Sequence, residues 1–137
     1  MGCSPRFQDT GNGSFFGDMI YQRVLKRHRR HFLVMLNKLI DWNSLSEQLL
    51  PLYKGEGRRG RPPYEPQVLL KMLFLSYLYN VSERSMEEFV DTNLLAKWFM
   101  GLAVDEPPPD HSTLTVFRRR LEQEGGQNAL QGLFDEV

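Results

Sequence analysis

The sequence of 137 residues has one cysteine, no long apolar run and no net charge. Because Cys3 is the only cysteine, an internal disulfide is impossible, which excludes a secreted fold held by disulfides. The longest apolar-rich segment, residues 68–79, is shorter than the about 20 residues that a membrane-spanning helix needs. The N-terminus also lacks the apolar stretch of a signal peptide. We therefore expect a cytoplasmic, soluble protein that does not associate with a membrane.

The sequence also lacks the residue patterns of a metal-dependent or nucleophilic enzyme. Its three histidines, His28, His31 and His111, do not have the paired spacing of metal ligands, and one cysteine cannot complete a zinc site. No glycine-rich phosphate loop follows a strand, and the acidic residues do not pair into an acid/base site. We therefore predict no catalytic residues, no cofactor and no small-molecule substrate for this chain.

The composition nevertheless indicates a folded domain with an uneven charge distribution. Hydrophobic residues make up 41% of the chain and charged residues 25%, as in average soluble proteins. The length fits a single domain. Residues 1–61 carry a net charge of +6, whereas residues 62–137 carry −6. Zero net charge therefore does not exclude a nucleic-acid partner, and a localised basic surface is expected.

Hydrophobic periodicity predicts an all-α fold, a small bundle of about six or seven short helices. Residues 1–17 are predicted to be a flexible lead-in, because glycines recur among polar residues, and residues 18–137 form the helical domain. The helix predicted over residues 66–79 is apolar almost all round and should lie at the centre of the bundle. Basic, glycine-rich residues 54–63 predict a loop.

Several helix ends are predicted from single residues. The helix that begins after Asp41 is expected to end near Leu52, and Asn80 predicts a left-handed helix stop. Gly125-Gly126 predicts the end of the helix that follows Pro109, with a last helix over residues 128–136. Helix N-caps are predicted at Asp41, Ser82 and either Asp110 or Ser112.

The helix after Pro109 has two chemically different faces. Leu114, Phe117 and Leu121 fall on one face, which should contact the core. Arg118 and Arg120 lie on the two flanks. The opposite face carries Ser112, Thr115, Val116, Arg119 and Gln123.

This arrangement suits a helix that reads DNA in the major groove. Hydroxyl groups and the helix N-terminus can bind phosphate, and Arg119 can pair with guanine, Gln123 with adenine and Val116 with a thymine methyl. Helices predicted over about residues 83–91 and 94–100 supply the support that helix-turn-helix geometry needs, as any small bundle also would. The alternative is a solvated helix surface, because a run of three arginines is common on an exposed helix.

Two further basic segments have two interpretations each. Arg58, Arg59 and Arg61 flank Gly60 and precede Pro62, a pattern that fits a narrow minor groove but also a basic surface turn. Residues 26–30 contain four cations and one histidine, which can contact phosphates or form the solvated face of a helix.

An ordered series of motifs resembles the N-terminal domain of bacterial insertion-sequence transposases of the insertion sequence five family, which belong to the DDE class. The resemblance covers about residues 15–137. The motifs are Leu39-Ile40-Asp41-Trp42, Leu50-Pro51-Leu52-Tyr53, Gly60-Arg61-Pro62-Pro63-Tyr64, Leu78-Tyr79-Asn80-Val81-Ser82-Glu83-Arg84, Gly101-Leu102-Ala103-Val104-Asp105-Glu106 and Pro109-Asp110-His111-Ser112-Thr113-Leu114-Thr115-Val116-Phe117-Arg118-Arg119-Arg120-Leu121.

The resemblance implies a helix-turn-helix-like domain that binds the terminal inverted repeats of a mobile element in DNA transposition, a form of DNA recombination. Residues 110–121 match the family's DNA-contacting helix. Taken with the basic loop, the DNA-binding residues that we predict are Arg58, Arg59, Arg61, Ser112, Thr113, Thr115, Arg118, Arg119, Arg120 and Gln123.

In full-length relatives this domain precedes an RNase-H-like domain, where three acidic residues hold two divalent metal ions such as Mg²⁺ for strand cleavage and transfer. The strands with the first catalytic Asp follow the segment that resembles residues 130–137, where this chain stops. We therefore expect a truncated transposase that binds double-stranded DNA of the nucleoid without being an enzyme. The alternative is an inactive remnant or regulator that forms a homodimer or another protein complex through amphipathic helices of residues 86–100.

Overall fold

The computed structural model describes residues 10–49 and 64–135, and of residues 124–135 only the backbone. This part of the chain forms seven α-helices and no strand, which confirms the predicted all-α class. None of these helices is long and apolar enough to cross a membrane. The helices are α1 (Phe15–Arg27), α2 (Phe32–Leu39), α3 (Trp42–Glu47), α4 (Pro66–Leu78), α5 (Glu83–Thr92), α6 (Leu94–Phe99) and α7 (His111–Asp135).

Helix α4 lies at the centre of the core, as its uniform apolarity predicts. Its residues 68–76 are all buried, and α3, α5 and α7 pack around it. A helix without a polar face has no side that favours contact with water, so burial on all sides is its stable arrangement. The rings of Trp42, Phe74 and Phe99 meet beside α4, with Trp42 edge-on to both phenylalanines.

The buried part of α4 includes one cation, Lys71. Its ammonium group donates hydrogen bonds to Asn37 Oδ1 at 2.9 Å and to the Phe99 carbonyl oxygen at 2.8 Å. It also lies 5.4 Å and 5.0 Å from the ring centroids of Trp42 and Phe99. Because burial disfavours the charged form, the pKa of Lys71 is lowered to about 8. The sequence pattern marked Lys71 only as an interruption of the apolar run.

The predicted capping residues are confirmed where the structure describes them. Asp41, Ser82 and Asp110 each accept a hydrogen bond from the backbone N–H three residues later, at 3.1, 3.2 and 2.8 Å. Asp110, rather than Ser112, is thus the residue that caps α7. Asn80 has a φ of 53°, the left-handed conformation expected after α4.

The predicted helix break at Gly125-Gly126 is wrong, because α7 continues through both glycines to Asp135. Two interior glycines cost about 1 kcal/mol each relative to alanine, but they leave the backbone hydrogen-bond donors in place. Favourable helix formers lie on both sides, from Leu121 to Glu124 and again at Ala129 and Leu130. The single helix therefore replaces the separate last helix predicted over residues 128–136.

Two other boundaries differ from the sequence prediction. Helix α3 ends at Glu47 instead of near Leu52, because its asparagine and serines are weak helix formers, and residues 50–52 lie outside the described part. Helix α1 begins at Phe15, inside the lead-in predicted for residues 1–17, where the side chain of Ser14 accepts the N–H of Gly17.

Helix α1 is fixed to the segment that leads into α7. The Tyr21 hydroxyl donates to the Leu102 carbonyl oxygen at 2.6 Å, and the Gly11 N–H donates to the Glu106 carboxylate at 2.9 Å. Gly11 has a φ of +79°, and a Cβ there would lie 2.6 Å from the Gly101 carbonyl oxygen, so this approach requires glycine. The entry to α7 is therefore held from the N-terminal side of the chain.

Candidate nucleic-acid interface

Helix α7 places one face in the core and the opposite face in solvent, as its pattern predicts. Leu114, Phe117 and Leu121 are buried, and the helix packs against α4 and α5. The exposed residues of the outer face are Ser112, Val116, Arg119 and Gln123. Val116 is 48% exposed, so its methyl groups are accessible to another molecule.

Helix α5 holds α7 through two carboxylates that are one turn apart. The Arg118 Nε donates a hydrogen bond to Glu83 Oε1. The His111 N–H donates to Glu87 Oε1 at 2.8 Å, and His111 Nδ1 lies 3.2 Å from the same oxygen. Because His111 and Arg118 are two turns apart on one side of α7, the two contacts fix both the position and the rotation of this helix.

Arg118 therefore has a different environment from Arg119. Its Nη1 contacts both carboxylate oxygens of Glu122, at 3.1 and 3.2 Å, and its side chain is 27% exposed. The pKa of Arg118 is raised, chiefly by its hydrogen bond with Glu83. Contact between Arg118 and DNA would require this arginine to leave two carboxylates, whereas Arg119 is exposed to solvent.

The N-terminus of α7 is occupied by negative charge. Glu87 accepts the N–H of His111, and Asp110 accepts the N–H of Thr113. These donors are no longer available to a phosphate, and the two carboxylates would repel one. The structure therefore does not support the expectation that these N–H groups bind DNA phosphate, although the exposed Ser112 hydroxyl is still available.

The remaining predicted residues are distributed over three places. Thr113, Thr115 and Arg120 are half-buried on α7, and the Thr115 hydroxyl donates to the His111 carbonyl oxygen at 2.9 Å. Residues 26–30 are exposed at the end of α1 and in the turn that follows. Arg58, Arg59 and Arg61 lie outside the residues that the structure describes.

The predicted supporting helices are present, but the turn before α7 is long. Helix α5 packs directly against α7. Helix α6 ends at Phe99, so residues 100–110 connect it to α7. A helix-turn-helix in the strict sense has a turn of three or four residues. Helix α5 thus supports α7, but the connection between α6 and α7 is longer than the turn of a strict helix-turn-helix.

Most of the apolar surface of residues 86–100 is used in the core. Met86, Val90, Ala96 and Phe99 are fully buried and cannot contribute to the self-association surface that we considered, whereas Leu94 is 38% exposed and Phe89, Leu95 and Trp98 are half-buried. The most exposed large apolar side chains of the described residues are Phe15, Phe16 and Leu39, each about three-quarters exposed on α1 and α2.

The two α5 carboxylates are site residues that sequence reasoning missed. Glu83 and Glu87 lie at i and i+4, a spacing that places both on one face of the helix. That spacing was a usable signal, but nothing in the local sequence identified partners 24 and 35 residues away.

Comparison with known proteins gives a family match that covers most of the described core. Residues 21–120 match the model of a family described as a transposase domain (DUF772). The match includes helices α2 to α6 and the first part of α7, up to Arg120. No solved structure matches this chain. Among the side chains that the structure describes, in residues 10–49 and 64–123, no group of three His, Cys, Asp or Glu could hold a metal ion.

Proposed function

Because the chain belongs to the transposase domain family (DUF772), we propose that it is the DNA-binding domain of an insertion-sequence transposase and binds the terminal inverted repeats of a mobile element. The finer assignment is to the insertion sequence five family of the DDE class. The observation that carries the proposal is the outer face of α7, where Arg119 and Gln123 are exposed directly opposite the buried side.

The outer face has the chemistry of direct base readout. Arg119 presents two parallel donors to O6 and N7 of guanine, and Gln123 matches N6 and N7 of adenine. Four residues of helix rise about 6 Å, close to two base steps of B-DNA. Arg119 and Gln123 therefore contact bases about two positions apart, with Val116 beside a thymine methyl.

The other residues fix the domain on the DNA backbone. We assign Ser112, Thr113 and Arg120 to phosphate contacts beside the bases read by α7, because hydroxyl and guanidinium groups commonly bind phosphate oxygens. A phosphate contact by Thr115 requires its hydroxyl to leave the His111 carbonyl oxygen, to which it donates its one proton. The arginines of the basic loop are assigned to the adjacent minor groove and its phosphates; they are Arg58, Arg59 and Arg61.

Arg118 we assign to holding α7 on α5, because two carboxylates contact its guanidinium. DNA binding of this kind needs no cofactor. The divalent-metal chemistry of strand transfer belongs to the RNase-H-like domain of the full-length relatives, and we assign DNA binding alone to this domain.

The test is binding of element-end DNA and random duplex DNA by fluorescence anisotropy. Arg119→Ala is expected to weaken binding of element-end DNA about 5- to 150-fold, the equivalent of 1–3 kcal/mol, and to change random-DNA binding much less. Lys38→Ala is the matched control, because it removes one exposed cation from α2 instead of α7. Equal losses of affinity on both DNAs would contradict base readout by Arg119. Absence of any preference for element ends in the unchanged chain would contradict the proposed function.

A regulator that acts by self-association is the second candidate. The observation in its favour is the exposure of Phe15 and Phe16 on α1 and of Leu39 on α2, which are all more exposed than Leu94, the exposed apolar residue of 86–100. Two measurements at low and at high salt distinguish the candidates. Sedimentation without DNA reports self-association, and an apolar dimer persists as salt rises. Anisotropy with DNA reports binding, and the DNA affinity falls steeply as salt rises.

A further inference from the structure

A segment near the N-terminus contains several cations and no carboxylate of its own. Residues 19–40 include six Lys or Arg and no Asp or Glu. Five of the six form what we call the basic segment: Arg23, Lys26, Arg27, Arg29 and Arg30. All five are exposed.

None of the five forms an ion pair within the described residues. In contrast, Lys97 and Arg118 in the acidic half of the chain contact Asp91, Glu83 and Glu122. Like charges this close repel one another. Among the described residues the basic segment is thus left without a neutralising carboxylate, and a cationic surface of this kind attracts anions.

The geometry of α1 directs these cations outwards together. The buried residues of this helix are Gly17, Tyr21 and Val24; at 100° per residue Arg23 and Lys26 lie on the opposite side, and Arg27 lies on the flank. Arg23 and Arg27 are separated by a rise of about 6 Å, close to two base steps along one DNA strand.

The helix dipole explains only part of the arrangement. Cations in the last turn of a helix interact favourably with its dipole, which accounts for Lys26 and Arg27. Arg29 and Arg30 lie beyond the end of α1, so this effect does not account for them.

Helix α7 by itself offers few charges to the DNA backbone. Arg118 is held by two carboxylates, and Glu87 and Asp110 occupy the N-terminus of the helix. Neutralisation of several phosphates is nevertheless what gives a DNA-binding protein most of its sequence-independent affinity. The arginines of residues 58–61 were assigned part of this term, and the exposed cations at the end of α1 are a further source of it.

We propose that the basic segment is a second DNA contact, which neutralises backbone phosphates without reading bases. The proposal rests on DNA being the partner of this domain. It separates two roles: α7 supplies discrimination between sequences, and the end of α1 supplies affinity for any duplex.

An anionic membrane is the other polyanion to consider. The first half of α1 exposes Phe15, Phe16, Met19 and Ile20, and helices that lie in a membrane interface combine apolar and basic residues. Their apolar residues, however, follow one face along the whole helix. In α1 the apolar and basic residues occupy successive halves, and the cations continue into the turn. This arrangement favours a phosphate backbone.

The experiment measures the salt dependence of binding to element-end and random duplex DNA by the full chain. The slope of log K against log salt falls by about 0.9 for each phosphate contact that is lost. For the triple variant Arg23→Ala, Arg27→Ala and Arg30→Ala we expect a slope shallower by about 2.7 on both DNAs. We expect the ratio of the two affinities to be unchanged.

Single variants keep the test valid if the triple variant loses helicity by circular dichroism. Arg27→Ala should lower the slope by about 0.9, and Lys38→Ala, which removes an exposed cation outside the basic segment, should leave it unchanged. An unchanged slope in Arg27→Ala, or an equal reduction in Lys38→Ala, would overturn the proposal.

Two further outcomes distinguish this proposal from a membrane contact and from the proposed function. Binding of the chain to phosphatidylserine vesicles that is lost in the triple variant, with the DNA slope unchanged, would overturn the DNA contact in favour of a membrane. Failure of the unchanged chain to prefer element ends, with a slope that still falls in the triple variant, would refute the proposed function but support the phosphate contact.

Discussion

The buried ammonium group of Lys71 should make the stability of this domain depend on pH. The side chain of Lys71 is 5% exposed, and its acceptors are the Asn37 amide and the Phe99 carbonyl, both uncharged. Burial lowers its pKa from 10.5 to about 8. Because one pKa unit corresponds to about 1.4 kcal/mol, the charged form costs the folded state about 3 kcal/mol at neutral pH.

The sign of the effect follows from proton binding. Between about pH 8 and pH 10 the unfolded chain keeps a proton on Lys71 that the folded chain has released, so the free energy of unfolding rises with pH. Below pH 8 Lys71 is charged in both the folded and the unfolded chain, so it does not make the free energy of unfolding depend on pH. Above pH 10 Tyr21 opposes the rise, because burial raises the pKa of its hydroxyl and the unfolded chain then loses that proton first.

Urea unfolding followed by circular dichroism at pH 7, 8, 9 and 9.5 tests this reasoning. We expect the free energy of unfolding to rise by roughly 2 kcal/mol between pH 8 and 9.5. Lys71→Met, which has a similar length and no charge, should abolish the rise, and Lys38→Met, at an exposed lysine, should leave it intact. A flat profile in the unchanged chain, or a rise that persists in Lys71→Met, would refute the reasoning.

Three further predictions concern stability and are tested by the same urea titration at pH 7. Asp110→Ala removes the N-cap of α7 and should lower the free energy of unfolding by about 1 kcal/mol; no change would mean that another acceptor caps the helix. Asn80→Gly should raise it by up to about 1 kcal/mol, because the backbone is left-handed there, and a loss would contradict that conformation. Glu83→Gln and Arg118→Gln, combined in a double-mutant cycle, should show a coupling of about 1 kcal/mol, and a coupling near zero would show that this pair does not hold α5 to α7.

The features that the sequence predicts well are those decided within a few residues. An N-cap such as Asp41 or Ser82 bonds an N–H three residues away, so the nearby sequence is sufficient to identify it. The two faces of α7 follow in the same way from the helical period. The continuation of α7 through Gly125 is the exception, since there a local rule gave the wrong end.

The features that it misses depend on which helices pack together. Glu83 and Arg118 are separated by 35 residues, and each alone is consistent with a solvated helix surface. Lys71 lies in an apolar run, where a lysine is more often found reaching solvent, and only the packing of Trp42 and Phe99 shows that it is enclosed. Pattern and propensity contain no information on such partners.

The uneven charge of the chain corresponds to two different uses of charge in the fold. In the acidic half, carboxylates of α5 and α7 neutralise Arg118, so these charges act between helices. In the basic half, residues 19–40 contain no carboxylate, and the cations at the end of α1 form no ion pair within the part of the chain that the structure describes. Variants of the paired charges should therefore change the free energy of unfolding and leave the salt slope of DNA binding alone. Variants of the unpaired cations should change the salt slope of DNA binding and leave the free energy of unfolding nearly unchanged. A single variant that strongly changed both the slope and the free energy would show that structural and DNA-binding charges are not separate.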